Sequence, residues 1–572
     1  MNPKLEISKQ ATPVFGLSVH FMDERSPRKT TGIFLSRFVN LTFSTLVKSR
    51  LLLCPRSWSG AFGIIFFPAF FLVLSGICGA KPIEKIEVTF EYVEDLAQKA
   101  SAKPWKPVTD DSLLPEPLRG LTYDQMRNIR FRPEMQIWSE ENLPFRLALF
   151  HLGYLFRQPV EVFEFSPTHM QRIRFARALF DYNNSGVDAS NLPQDLGYAG
   201  FRIHNPLNVP GVFDELGVFQ GASYYRMLGH EQIYGLSARG LAINTGLDRP
   251  EEFPMFTHFW IGKPEPGATS LKIFALLNSP CVAGAYEFVV KPGTETTLDV
   301  RQTLYFRQLP EVIGFAPLTS MFWFGENTRK PFDDFRPEVH DSDGLAIKFS
   351  TGEFIWRPIN NDPKQRRIYS FDAQNLRGFG LLQRDRDFRS YQDLEALYHR
   401  RPGLWVEPLG EWGEGLVKLI ELPTQNELSD NIVAFWEPKV RPEIGKPHRL
   451  AYRQRWTSEQ NPGGVGGYAV ATRSGIHDWA PGERFVMVDF TGDNLMRLPP
   501  EATPIVFPTT DNPNVEALNP IVTRNLFDNS WRASFRLKVK DGTPRPQQVE
   551  VRCFLKHGDD YITETWSSLM PL

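Results

Sequence analysis

At 572 residues the chain is too long for one hydrophobic core, and at roughly 150 residues per domain it points to two or three domains. With 42% apolar, 13% aromatic and 23% charged residues it is no disordered polyelectrolyte, and most of it is expected to pack. A net charge of −2, with no basic stretch interleaved with aromatics, argues against a nucleic-acid partner, while 46 prolines and 42 glycines suit the many tight turns of a mainly β protein.

The first 80 residues stand apart, with nine Lys or Arg against three acids, which leaves about −8 for the remainder. From Ser57 to Ala80 there is no charge, and an apolar run through Phe66, Phe67, Phe70 and Leu74 ends in the small-residue patch Cys78-Gly79-Ala80. This reads as an export signal cleaved near Ala80. An uncleaved inner-membrane anchor competes with it, because a spanning helix needs about 20 such residues; a buried core helix is the third reading. Either of the first two delivers the rest outside the cytoplasm. Met22 is a candidate later start. Cys54 and Cys78 fall in this segment, leaving Cys281 and Cys553 without a disulfide framework or zinc pattern, and no metal or cofactor is expected.

Beyond residue 80, Phe90, Val93, Ala97 and Ala100 carry helical spacing. Alternation then dominates: Leu298, Val300, Leu304 and Phe306 mark one half-buried strand, and Trp531, Ala533, Phe535, Leu537 and Val539 another. The second run ends in the turn dipeptide Asp541-Gly542 before Val549, Val551, Cys553 and Leu555, which predicts a closing β-meander or hairpin with Cys553 as a core thiol. A helix is expected from Tyr391 to Tyr398, and Arg384-Asp385-Arg386-Asp387 reads as a solvated charged loop. The Gly-rich run from Gln460 to Gly467 disfavours helix and strand and marks a boundary. It divides a body, residues 81–459, expected to be a large double-sheet structure, from residues 460–572, which have the size of an immunoglobulin-like sandwich.

No run is by itself a chemical motif. Several in one order nevertheless resemble the osmoregulated periplasmic glucan biosynthesis family of the protein G and protein D type: Gly221-Ala222-Ser223-Tyr224-Tyr225-Arg226, Tyr234-Gly235-Leu236-Ser237-Ala238-Arg239, Arg336-Pro337-Glu338, His340-Asp341-Ser342, Gly378-Phe379-Gly380-Leu381-Leu382-Gln383-Arg384 and Gly410-Glu411-Trp412-Gly413. The resemblance implies a large β-sandwich of galactose-mutarotase-like fold with a cleft, then a small immunoglobulin-like β-sandwich. It implies a role in making β-1,2-linked glucan, by inverting endo-glucanase or transglycosylase chemistry or as a non-catalytic scaffold beside the inner-membrane glucan synthase, and it admits a homodimer. An epimerase of the mutarotase kind would need a His and Glu pair that is not identified. No adjacent Arg pair precedes the apolar segment, so the twin-arginine export of the protein D type is not supported. The segment Asn361–Gln365 holds one residue more than the family pattern.

Inverting cleavage needs one carboxylic acid to protonate the leaving oxygen and one carboxylate to activate water from the opposite face. The resemblance places the general acid at Asp430, within Asn426-Glu427-Leu428-Ser429-Asp430-Asn431, and the general base, acting through waters, at Asp341. These positions are 89 apart in sequence. From residue type alone Asp341, ahead of Ser342-Asp343-Gly344, is a turn former, and Asp430 a turn cap; Glu338, Asp343 and Glu427 are the neighbouring acids that compete with them. A sugar ring offers an apolar face and a rim of hydroxyls, which aromatic platforms and planar donors suit. The resemblance sets Tyr398 and Arg401 against substrate, and Trp323, Trp356, Trp405 and Trp412 are further platform candidates, with a packed core ring the bland alternative for each.

Overall fold

The computed structural model describes residues 87–106, 114–328, 332–362, 364–464, 466–499 and 501–572. The export segment, and with it Cys54 and Cys78, lies outside them. Among the described residues no helix is long and apolar enough to cross a membrane.

The molecule is mainly β. Two large sheets, of ten and fourteen strands, share one hydrophobic core. Alternation dictates this arrangement. In Thr296–Phe306 the even positions Leu298, Val300, Leu304 and Phe306 enter that core, whereas Arg301 and Tyr305 face outward. Phe201, Phe219, Tyr225, Phe315 and Leu318 of the ten-stranded sheet meet them from the other side. The helix Phe90–Ser101, capped by the Thr89 hydroxyl, forms as its spacing predicts and lays Phe90, Val93 and Ala97 on the outer face of the larger sheet against Trp260, Phe274 and Tyr305.

A second core lies on the far side of the larger sheet. Trp356 and Trp405 pack there with Val486, Phe490, Trp531, Phe535, Val551, Cys553 and Trp566. Tyr468–Ile476, Arg484–Thr491, Trp531–Val539 and Val515–Arg524 form a four-stranded sheet. Thr565–Pro571 instead joins the fourteen-stranded sheet, running parallel to Phe354–Pro358 with Trp566 opposite Trp356. Cys553 is fully buried, and its thiol is pushed far up by that burial.

Two expectations are corrected here. Trp531–Val539 and Gln548–Cys553 form as strands but do not pair as a hairpin: the first bonds Arg484–Thr491 and Val515–Arg524, the second Thr565–Pro571 and Thr509–Thr510. Pro544 and Pro546 stiffen the link after Asp541-Gly542, so the chain crosses between sheets. Nor does a helix run from Tyr391 to Tyr398. One turn, Phe388–Tyr391, stops at Gln392 with φ 56°, Asp393 takes the N–H groups of Glu395 and Ala396, and Leu397 at φ 46° precedes the short 3-10 turn Tyr398–Arg400.

Strand Gly344–Lys348 shows how closely this layer fits. A Cβ on Gly344 would lie 2.1 Å from the Trp356 ring, and that ring is held by the Arg384 guanidinium 3.7 Å above it. Gly344→Ala is therefore expected to destabilise the protein by about 1–3 kcal/mol, read as a lowered urea midpoint.

Candidate functional site

The two candidate acids are brought to one end of strand Ile313–Ser320. Ser320 pairs with Ile432, two residues beyond Asp430, while its hydroxyl bonds the Ser342 hydroxyl at 2.8 Å, one residue beyond Asp341. The next step of backbone, Met321-Phe322, holds both acidic segments. Asp341 N–H donates to the Met321 carbonyl at 2.8 Å; the Asn431 side chain accepts from Phe322 N–H at 2.9 Å and donates to the Phe322 carbonyl at 3.0 Å. Asp341 and Asp430 thus flank one peptide unit despite their distance in sequence.

Their surroundings differ. Asp341 is buried, its Oδ1 receives Arg401 Nη1, and its Oδ2 has no hydrogen-bond partner among the described residues. Asp430 Oδ2 lies 3.9 Å from Arg226 Nη2 and has no hydrogen-bond partner among the described residues. Arg226 comes from strand Tyr224–Met227, where Tyr224 stands opposite Arg239. The Arg401 guanidinium lies 4.2 Å over the Tyr398 ring, and the Tyr398 hydroxyl donates to Glu427. Burial pushes the Glu427 carboxyl up, but hydrogen bonds from Arg336, at 2.8 and 3.0 Å, and from Tyr398 outweigh it and hold it below the ordinary range.

Residues 88–570 match the family described as "Periplasmic glucan biosynthesis protein, MdoG". The chain belongs to the MdoG family. It is 46% identical over 487 residues to the glucans biosynthesis protein G of Ralstonia nicotianae, covering 83% of this chain and 94% of that protein. To the protein of the same name in Bradyrhizobium diazoefficiens it is 43% identical over 476 residues, 83% and 92% of the two chains. The figures for that of Pectobacterium carotovorum are 41% over 498 residues, 85% and 93%.

In this MdoG-family chain the four candidate tryptophans are not equivalent. Trp356 and Trp405 lie in the second core, and Trp412 in the main core, where it tilts against Trp436 and its indole N–H bonds the Ala451 carbonyl at 3.2 Å. Packing against protein leaves these three rings no open face for a sugar. Trp323 is half-buried beside Phe324 and Phe332, with Arg336 5.9 Å from its ring. Tyr398 and Arg401 are buried, one on Glu427 and the other on Asp341.

The run from Arg384 to Asp387 is only partly the solvated loop expected: Asp387 is exposed, but both arginines turn into the protein. Arg384 is fully buried: it forks onto Glu564 at 2.5 and 2.9 Å and donates to the carbonyls of Gln460 and Ala469, pinning the Gly-rich boundary. Arg386 donates to the carbonyls of His399 and Arg401. Residue type alone gave no sign of this, because the partners lie far away in sequence.

Behind Asp341 sits a buried cluster that the sequence did not announce. His340 stacks on Phe322 and faces Gln383 Oε1 at 2.8 Å and Glu338 Oε2 at 2.9 Å. Burial pulls His340 down, but Glu338, Asp343 and Glu326 outweigh it and raise it from 6.5 to about 9. Burial pushes Glu326 to about 8 and Asp343 to about 6. All three bind a proton more tightly folded than unfolded, so each contributes stability that is complete below its unfolded pKa and lost as pH rises through its folded pKa. These three groups together are expected to lower stability as pH rises from about 4 to about 9, Asp343 acting up to about pH 6, Glu326 up to about 8 and His340 from 6.5 to about 9, with the fall above pH 8 flattened in His340→Asn, as measured by urea midpoints across pH.

Proposed function

We propose that this chain works in periplasmic glucan biosynthesis by cutting or transferring the β-1,2-linked backbone with inversion, Asp430 acting as general acid and Asp341 as general base. The observation that supports this reading is the shared anchoring of both acidic segments on Met321-Phe322. An inverting site needs two carboxyl groups on opposite sides of one sugar linkage, and this anchoring ties the segments that carry them to a single peptide unit. The family description supports the periplasm as the place of action and glucan as the polymer. In this reading residues 81–459 carry the cleft and residues 460–572 brace it.

The chemistry divides by environment. Asp341, charge-paired with Arg401, suits the role that must remain a carboxylate and draw a proton from water. Asp430 Oδ2 is buried and has no hydrogen-bond partner among the described residues, so its O–H, when the carboxyl is protonated, has no competing acceptor and can be donated to a glycosidic oxygen that reaches it. Arg401 and Tyr398 then serve as substrate contacts if they exchange their present partners for sugar hydroxyls. That both are engaged within the protein favours a second reading, a non-catalytic glucan-binding factor beside the membrane synthase. Incubating the purified protein with linear β-1,2-glucan separates the two: shorter or cyclised products establish the enzyme, and an unchanged polymer that still binds establishes the scaffold.

A further inference from the structure

Arg336 joins the three segments on which the proposed site depends. It is buried, and the following Pro337 restricts its backbone to extended conformations. Every N–H of its guanidinium meets a carboxylate: Nε and Nη2 reach Asp334 at 3.0 and 2.8 Å, Nη1 reaches Asp393 at 2.9 Å, and Nη1 and Nη2 fork onto Glu427 at 2.8 and 3.0 Å. Each contact belongs to a different working segment. Arg336 itself lies five residues before Asp341. Glu427 lies three before Asp430, and Asp393 caps the turn that leads into Tyr398 and Arg401. Arg336 is the counter-charge these three carboxylates share, so its loss weakens what holds the segments together.

Each of the three carboxylates is followed by an exposed apolar residue. Phe335 is 79% exposed, Leu394 82% and Leu428 60%. Consecutive Cα atoms are about 3.8 Å apart, so each of the three apolar residues adjoins a carboxylate held by one guanidinium, which lies 5.9 Å from the Trp323 ring. Isolated exposed leucines need no explanation, but three exposed apolar residues beside carboxylates that converge on one buried charge are candidates for a common surface. They lie on the segments that lead to Asp341, Asp430 and Arg401. Apolar C–H faces alternating with hydroxyls are what a β-glucan offers such a surface.

We propose that Arg336 is a positioning residue, a latch that holds the loops of Glu427 and Asp393 against the segment of Asp341 and so presents Phe335, Leu394 and Leu428 as an apolar rim for glucan rings. The latch itself stands independently of the catalytic reading; only its effect on turnover rests on that reading. Glu427 is its releasable member, since its side chain is 29% exposed against 9–12% for Arg336, Asp334 and Asp393.

The test combines hydrogen exchange on the intact protein with assays on linear β-1,2-glucan. Lysine keeps the charge but cannot fork, so Arg336→Lys is expected to raise amide exchange in residues 393–401 and 424–430 about tenfold, leaving the sheets protected. In the same variant turnover should fall about 100-fold, more than affinity does. Glu427→Gln, which retains a partner for Tyr398, should show a smaller effect in the same peptides and keeps the test decisive if Arg336→Lys fails to fold. The double variant Phe335→Ala with Leu428→Ala should weaken glucan binding about tenfold with exchange unchanged. Unaltered exchange in both Arg336→Lys and Glu427→Gln overturns the latch, and undiminished binding by the double variant overturns the rim. Raised exchange in a protein whose wild type never cleaves glucan supports the latch and counts against the enzymatic reading alone.

Discussion

Asp430→Asn is expected to slow cleavage of linear β-1,2-glucan about 1,000-fold while leaving affinity within a few-fold of wild type. A positioned general acid supplies about 10²- to 10⁴-fold, and it acts where charge develops on the leaving oxygen, so its loss falls on the transition state more than on binding. The substitution should cost little stability. Among the described residues Asp430 Oδ2 has no hydrogen-bond partner, and Arg226 Nη2 stands 3.9 Å from it. Asp341→Asn should differ in this respect: it removes the charge that faces buried Arg401, so turnover and stability fall together. Product release and urea unfolding, measured side by side, distinguish the two acids. Equal loss of stability in both variants, or undiminished cleavage by Asp430→Asn, would refute the assignment.

The largest effect on folding is expected at Glu564. Its carboxylate and the Arg384 guanidinium are both withdrawn from water, and Glu564→Ala strands a cation between the Trp356 ring and the Ala469 carbonyl. Breaking a buried pair by removing one partner costs about 3–5 kcal/mol. Replacing both residues together, as Arg384→Met with Glu564→Leu, should recover much of that loss, because the cost lies in the unpaired charge rather than in the missing bond. Denaturant midpoints of the single and double variants form the test. A single variant as stable as wild type would mean that water reaches the guanidinium.

These contrasts also show what a linear reading can hold. The strands Thr296–Phe306 and Trp531–Val539 were legible because alternation records which face of a strand is buried. Alternation does not record which strand lies alongside, so the expected hairpin after Asp541-Gly542 failed. Charge behaved in the same way. Arg384 and Arg336 look like surface residues until Glu564 and Glu427, 180 and 91 positions away, supply their partners. Asp341 and Asp430 were found through resemblance to a family, since each alone reads as a turn residue. Of the three carboxylates on Arg336, Asp334 alone is near it in sequence. Tryptophans could be counted but not sorted, because Trp323 and Trp405 differ only in what folds over them.

The parallel pairing of Thr565–Pro571 with Phe354–Pro358 imposes an order in time. Ile355 meets Thr565, its partner 210 positions later in the chain. A ribosome adding about 5–20 residues per second needs roughly 10–40 s to produce that interval. Until then the strand holding Trp356 is an open edge, and the aromatic layer above it has nothing to pack against. Any folding that starts before the last segment is available leaves a nearly complete sheet with a sticky edge, so a helper that shields this edge, or keeps the whole chain unfolded until its last segment emerges, is expected to raise the yield of native protein.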